Sequence, residues 1–186
     1  MREVRPTPRP LWVLDVGSGS GDLASFSAEI LNSRGFSTTA IVLDRDPTAV
    51  LLARASLSDV VLGDALRLPC PDASIDIVTA VKFAHHFHGP ALQRLVSEMA
   101  RVAAHRVIVL DIRRHWLAYW GFVAWSRIFT RNRLVRNDGP LSVLRGFTRP
   151  ELLDATAGLD SFSWQVRPYA GFQLALVGTR NLPASA

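Results

Sequence analysis

The sequence is poor in cysteine, in lysine and in long apolar runs. One cysteine in 186 residues, Cys70, excludes an internal disulfide and fits a reducing cytoplasm. It also leaves His85, His86 and His88 without a cysteine partner. Their spacing is not the i, i+4 pairing of a helical zinc site, so no metal is expected. No apolar stretch reaches the ~18 residues that a membrane span needs. The opening residues Met1-Arg-Glu-Val-Arg-Pro lack the apolar core of a signal peptide, and the expected location is cytoplasmic. Repeats and low-complexity tracts are missing too, and the length suits one domain with a sizeable core.

With Lys82 the only lysine, positive charge rests on arginine. Residues 101–149 hold ten arginines (101, 106, 113, 114, 127, 131, 133, 136, 145 and 149) against Asp111 and Asp138. Ten less two leaves +8 in a chain whose net charge is +5. Such a block can face nucleic acid, anionic lipid, a charged substrate or plain solvent.

Apolar periodicity organises the rest. Residues 1–10, with three prolines and three arginines, read as an irregular arm. Leu11–Val16 is a continuous apolar run ending at Gly17, the pattern of a strand buried on both faces. From Asp22, Leu23, Phe26, Ile30 and Leu31 recur at helical spacing until Gly35. Thr38–Leu43 is a second strand. Asp46-Pro47 then reads as N-cap and first residue of a helix through about Ala55. Val60–Leu62, Ile75–Val81 and Arg106–Leu110 are further strands, with an amphipathic helix Ala91–Val102 carrying Leu92, Leu95, Val96 and Met99. Nearly all-apolar strands alternating with helices predict an α/β fold with a parallel sheet covered on both faces. Thr148-x-x-Glu151 is a capping box for a helix ending near Gly158. Phe162–Val166 and Phe172–Val177, separated by Pro168 and Gly171, suggest a closing antiparallel hairpin.

The loop Gly17-Ser-Gly-Ser-Gly21 lets the main chain turn sharply and approach a ligand closely. It leads into a helix N-terminus, whose free N–H groups favour a carboxylate or phosphate. A dinucleotide loop would want glycine at position 22, which is Asp22, and needs no acid at position 15. Asp15 with the G-x-G-x-G spacing instead suits a cationic ligand that carries an amino acid. Asp44, ending the second strand, can accept both hydroxyls of a ribose. Asp64 follows the third strand and can accept from an adenine amino group while the Ala65 N–H meets a ring nitrogen; a turn-forming aspartate is the plain alternative. Asp76, at the entry of the fourth strand, reads as structural.

These elements, LDVGSGSGDLA, VLDRDP, GDALRLPCPDASIDIV and AHHF, resemble motifs I to IV of the class I S-adenosylmethionine-dependent methyltransferases that act on small molecules, those with a methyltransferase type 11-like domain. The resemblance covers residues 11–111; beyond them the match is in order of elements more than in sequence. It implies a Rossmann-like three-layer α/β/α sandwich. The seven-stranded sheet would be mostly parallel, in the order 3-2-1-4-5-7-6, with an antiparallel last strand. The cofactor S-adenosyl-L-methionine would lie across the carboxyl ends of strands one to four. Asp15, Gly17, Ser18, Gly19, Gly21, Asp44, Arg45, Asp64, Ala65 and Lys82 would surround it. Many relatives carry helices before strand one that cover the site. Here about ten irregular residues stand there, so the site is open or residues 112–147 form a helical lid.

Methyl transfer from a sulfonium is an in-line displacement, and a phenol or enol acceptor must also lose a proton. His85 and His86 follow strand four beside the expected methyl position, and histidine is a suitable base near neutral pH. Asp111, ending strand five, would face the same crevice. The resemblance supports His85 first, with His86 or Asp111 assisting; both histidines capping a short helix is the alternative, and His88 and His115 rank lower. The segment His115–Phe129 is apolar almost all round, with Trp116, Tyr119, Trp120, Phe122, Trp125 and Phe129. It reads as a helix buried against the sheet, as a hydrophobic lid over the acceptor, or, with its arginine flanks, as a peripheral membrane contact. Arg145 could pair with Asp138 or meet an anionic oxygen of the substrate. The expected partner is a hydrophobic small molecule, O-methylated as a phenol, quinol, pyrone or polyketide hydroxyl, with C-methylation the nearest variant. RNA methylation ranks below, because Val81-Lys-Phe-Ala-His stands where base methylases carry an Asn/Asp-Pro-Pro-Tyr/Phe element. A non-catalytic partner subunit that kept the fold is the third reading.

Overall fold

The computed structural model describes residues 9–57, 59–130, 132 and 140–181. Its strands are β1 (Leu11–Val16), β2 (Thr38–Asp44), β3 (Asp59–Leu62), β4 (Ile75–Val81), β5 (Ala103–Ile112), β6 (Phe162–Tyr169) and β7 (Gln173–Arg180). They form one seven-stranded sheet in the order β3-β2-β1-β4-β5-β7-β6. β1 pairs in parallel with β2 and β4, β2 with β3, and β4 with β5, whereas β7 runs antiparallel to both β5 and β6. The sheet order and the reversed last strand are those the resemblance implies.

Helices α1 (Asp22–Ser33), α2 (Pro47–Ala53), α3 (Pro90–Val102) and α4 (Trp116–Phe129) lie between the strands, followed by α5 (140–145) and α6 (Arg149–Asp154). Two buried clusters sit on the helices. The larger joins Leu14, Val16, Val78, Val107 and Val109 to Leu92, Leu95, Val96 and Met99 of α3 and Leu152 of α6. The smaller joins Ala24 of α1 and Ala53 of α2 to Ala40 and Val42 of β2. Alternating residues of β2, Val42 and Leu43, thus serve opposite clusters, as the period of a strand requires.

The caps are where the sequence puts them. Asp46 accepts the Thr48 N–H at 2.9 Å, with Pro47 at the first helical position. Thr148 and Glu151 close a capping box, Thr148 N–H donating to Glu151 Oε2 at 2.8 Å. Asp76 is structural: it accepts two guanidinium bonds from Arg9, at 2.9 and 2.7 Å, and the Trp12 N–H at 2.9 Å.

Several boundaries move. β5 begins at Ala103, three residues early, because the chain leaves α3 directly into the strand. Pro168 lies inside β6 opposite Leu174; it is tolerated because β6 is the sheet edge. The last helix stops at Asp154 and gives way to turns before Gly158. In α1 the apolar stripe is not core: Leu23, Phe26 and Ile30 are exposed and only Ala24 is buried. Small side chains, Ala24 and Ala28, seat the helix on β2 at close range. The segment 115–129 is a helix from Trp116, capped by the His115 ring nitrogen on the Leu117 N–H at 3.2 Å. It is not buried against the sheet: Ser126 alone is buried. Arg131, Arg133, Arg136 and Asp138 lie outside the described residues, and with them the expected Arg145–Asp138 pair.

Candidate active site

Parallel strands end together, so the carboxyl edge of β1, β2, β3 and β4 gathers the loops that follow them. A cavity of about 540 Å³ opens there, lined by Gly17, Gly19, Asp44, Arg45, Asp46, Gly63, Asp64, Ala65, Lys82, Phe83, His86 and Phe87, with Leu43 and Leu66. Gly17 has a left-handed backbone, φ 71°, and a Cβ there would lie 2.1 Å from the Phe83 ring. Only glycine permits this fold-back of the loop under that ring.

Asp44 organises the loop as well as facing the cavity. Its Oδ2 accepts the Gly19 N–H and its Oδ1 the Asp46 N–H, both at 3.0 Å. A carboxylate has about four lone-pair positions, so acceptor capacity remains for a ligand. Asp64 accepts the Leu66 N–H at 2.9 Å and so makes the turn, yet lines the cavity too.

Three of the expected loop residues are not on the wall: Asp15, Ser18 and Gly21. Asp15 is buried behind the loop, its Oδ1 accepting the Thr79 hydroxyl at 2.7 Å. Burial pushes its carboxyl above the ordinary range, and the Thr79 hydroxyl offsets part of that rise. The Ser18 hydroxyl tempers it too, although no hydrogen bond of normal geometry satisfies the buried Ser18 Oγ. Gly21 is packing: a Cβ would meet Leu57 at 2.8 Å.

Beyond β4 a short 3₁₀ turn, Ala84–His86, sends two histidines to different environments. His85 is buried. Its backbone N–H donates to Asp111 Oδ2 at 3.0 Å, and its Nδ1 lies 2.9 Å from Asp111 Oδ1, which also accepts the Ile112 N–H at 2.7 Å. Acceptance by the carboxylate assigns the proton to Nδ1 and leaves Nε2 as the basic nitrogen. Among the described residues, nothing hydrogen-bonds that Nε2. His86 faces the cavity, its ring centroid 4.4 Å from that of His85. Partial burial and then the neighbouring His85 lower its pKa; Asp111 opposes this, and Arg145 and Arg45 add to it.

A second cavity of about 550 Å³ adjoins the first through Lys82 and is mostly apolar. Ile112, Leu117, Phe122 and Trp125 line it with Val143 of α5 and with Gly171 and Phe172 of the β6–β7 turn. Sequence reasoning missed Phe83 and Phe87 in the first cavity and Phe172 in the second. Phe83 could have been found from its place one residue beyond Lys82, opposite a glycine loop. Phe172 could have been found because an antiparallel β7 must begin at the edge where β5 ends.

A doubly wound sheet with a glycine loop, carboxylates after β2 and β3, and an imidazole–carboxylate pair across β4 and β5 defines a nucleotide-cofactor domain of the class I methyltransferase type. Residues 13–116 match the family described as "Methyltransferase domain", and the chain belongs to it. It is 34% identical over 99 residues to the probable tocopherol O-methyltransferase, chloroplastic, of Oryza sativa subsp. japonica, covering 52% of this chain and 27% of that protein. Over 113 residues it is 30% identical to ribosomal RNA small subunit methyltransferase A of Synechococcus sp. (strain JA-3-3Ab), covering 59% of this chain and 38% of the relative. The chain thus spans well under half the length of either relative. Among solved structures, magnesium protoporphyrin IX methyltransferase from Synechocystis PCC 6803 with bound SAH superposes with a TM-score of 0.65 at 16% identity, over 92% of this chain and 75% of that one.

Proposed function

We propose that this chain transfers a methyl group from S-adenosylmethionine to a hydrophobic small molecule, O-methylating a phenol, quinol, pyrone or polyketide-type hydroxyl. One observation carries the reading: a polar cavity lined by the carboxylates of Asp44, Asp46 and Asp64 meets an apolar cavity at Lys82, and the His86 ring on its wall lies near the buried His85–Asp111 pair.

The walls of the first cavity suit the cofactor. Asp44 accepts from ribose hydroxyls, Asp64 from the adenine amino group, and Leu43, Leu66 and Phe87 offer apolar surface to the ring. Gly17 and Gly19 bring the main chain to the amino-acid end. When bound, the cofactor supplies an electrophilic methyl group on a sulfonium. His85 Nε2 accepts the proton of the acceptor hydroxyl, while Asp111 fixes the tautomer and bears the imidazolium that forms. His86, held neutral by its lowered pKa, adds no competing positive charge near the sulfonium. α4 and α5 act as the lid over the acceptor, excluding water from the displacement. The lone Cys70 suits a cytoplasmic setting.

The rice relative's name, a tocopherol O-methyltransferase, accords with a phenolic acceptor. The arginine block and the Synechococcus relative favour ribosomal RNA as the second reading. Incubation with radiolabelled S-adenosylmethionine and a panel of phenols, quinols and structured RNA tests both. Label in organic extracts of the phenols is expected. Label confined to RNA would replace the proposal, and cofactor binding without turnover on any acceptor would favour a non-catalytic subunit.

A further inference from the structure

Helix α4 carries two sets of apolar side chains. Leu117, Ala118, Gly121, Phe122 and Trp125 line the acceptor cavity. Trp116, Trp120, Ile128 and Phe129 line neither cavity and are 62% to 73% exposed. On α5, Leu141 and Leu144 are also half exposed. Large apolar side chains held together in water are costly, and a contiguous patch of them marks an interaction surface.

Charge identifies the occupant. From Ile112 to Asn137 the sequence has no acidic residue, and six arginines stand in that interval: 113, 114, 127, 131, 133 and 136. Arg113 stands three residues before α4 and Arg127 lies within it, both exposed. Tryptophan with flanking cations is the composition of a helix lying in the headgroup region of an anionic bilayer. At fourteen residues α4 is too short to cross a bilayer, and no described helix is long and apolar enough to do so. The aliphatic members, Ile128, Leu141 and Leu144, argue against RNA, since they can enter an acyl boundary but offer no ring for base stacking.

We propose that α4 docks the domain on an anionic lipid surface, with Trp116, Trp120, Ile128 and Phe129 seated at the headgroup–acyl boundary. The apolar cavity, walled by the same helix, then lies beside the docked surface, where a lipid-soluble acceptor leaves the bilayer. This delivery role rests on the acceptor reading above; the docking itself does not.

Vesicle co-sedimentation without cofactor or acceptor separates the two. The protein should pellet with phosphatidylcholine–phosphatidylglycerol vesicles, less with phosphatidylcholine alone, and less again as salt rises. A Trp116→Ser/Ile128→Ser/Phe129→Ser variant, whose changes lie outside both cavities, should lose at least tenfold in vesicle affinity while keeping its cofactor affinity by calorimetry. Arg127→Gln should lose about fivefold on the anionic vesicles alone. Three results would overturn the proposal. One is no pelleting with either vesicle. Another is a dimer in light scattering that the triple variant makes monomeric, since a second copy would then cover the face. The last is RNA retention that depends on the same three residues.

Discussion

The floor of the site and its roof are built on opposite principles. The floor, at the carboxyl ends of β1 to β4, is main-chain geometry: a left-handed glycine at 17, a carboxylate that clamps Gly19 and Asp46, and a turn held by Asp64. Asp44 and Asp64 shape the loop and also line the cavity. The roof we propose, α4 and α5, is side-chain surface with one buried residue in fourteen along α4. A cofactor common to a family can be met by fixed backbone. A variable acceptor is met by a surface that the rest of the fold does not constrain.

The sharpest break of this comparison is at the buried His85–Asp111 pair. His85→Gln should lower the methyl-transfer rate about 10²- to 10⁴-fold, the usual share of a general base. Cofactor affinity by calorimetry should stay within a few-fold, and full activity would remove the role. On the floor, Asp44→Ala should weaken the cofactor about 10- to 100-fold. It removes a charged acceptor at roughly 1.5–3 kcal/mol per hydrogen bond and also frees the Gly19 N–H. Unchanged affinity would contradict the ribose assignment. On the roof, Trp125→Ala should raise the acceptor KM about tenfold with the cofactor constant unmoved, as expected for about 1–2 kcal/mol of lost apolar contact. A change in cofactor affinity instead would mean that roof and floor are one site.

The smallest effects concern protons. Asp15 has a raised pKa, so the folded state disfavours its charge, and stability declines as pH rises through the ordinary carboxylate range. Asp15→Asn keeps an acceptor for Thr79 and should raise the Tm at neutral pH by about 2–4 °C, the shift that ~1 kcal/mol produces in a domain of this size. His86 has a lowered pKa, so the unfolded chain takes its proton first, and stability falls as pH drops below about 6.5. His86→Gln should flatten that acid-side decline in thermal melts.

The floor was legible because its geometry needs particular residue types. A loop with left-handed backbone at 17, 19 and 21 requires glycines, and an N-cap at 46 followed by Pro47 has few other solutions. The roof was not legible, because apolar composition says that a surface avoids water without saying what covers it. Segment 115–129 reads as core or lid, and less readily as a lipid face, and the exposure of Trp116 and Ile128 rejects core. Asp15 is the contrasting case. The spacing marks it as a ligand contact, yet its carboxylate is turned to Thr79 because β1 is buried on both faces at that level.

Lys82 is the one residue on the wall of both cavities, and its backbone is in the left-handed region, φ 51°, which a side-chain-bearing residue seldom adopts. If the proposed ligands fill the two cavities, a shared wall would make them thermodynamic partners: any effect of one on Lys82 that changes the affinity of the other must act by the same factor in both directions. Lys82 is also the only lysine of the chain. An amine-directed spectroscopic label on it would report cofactor and acceptor from a single position, and the coupling between them could be read as the difference between two titrations.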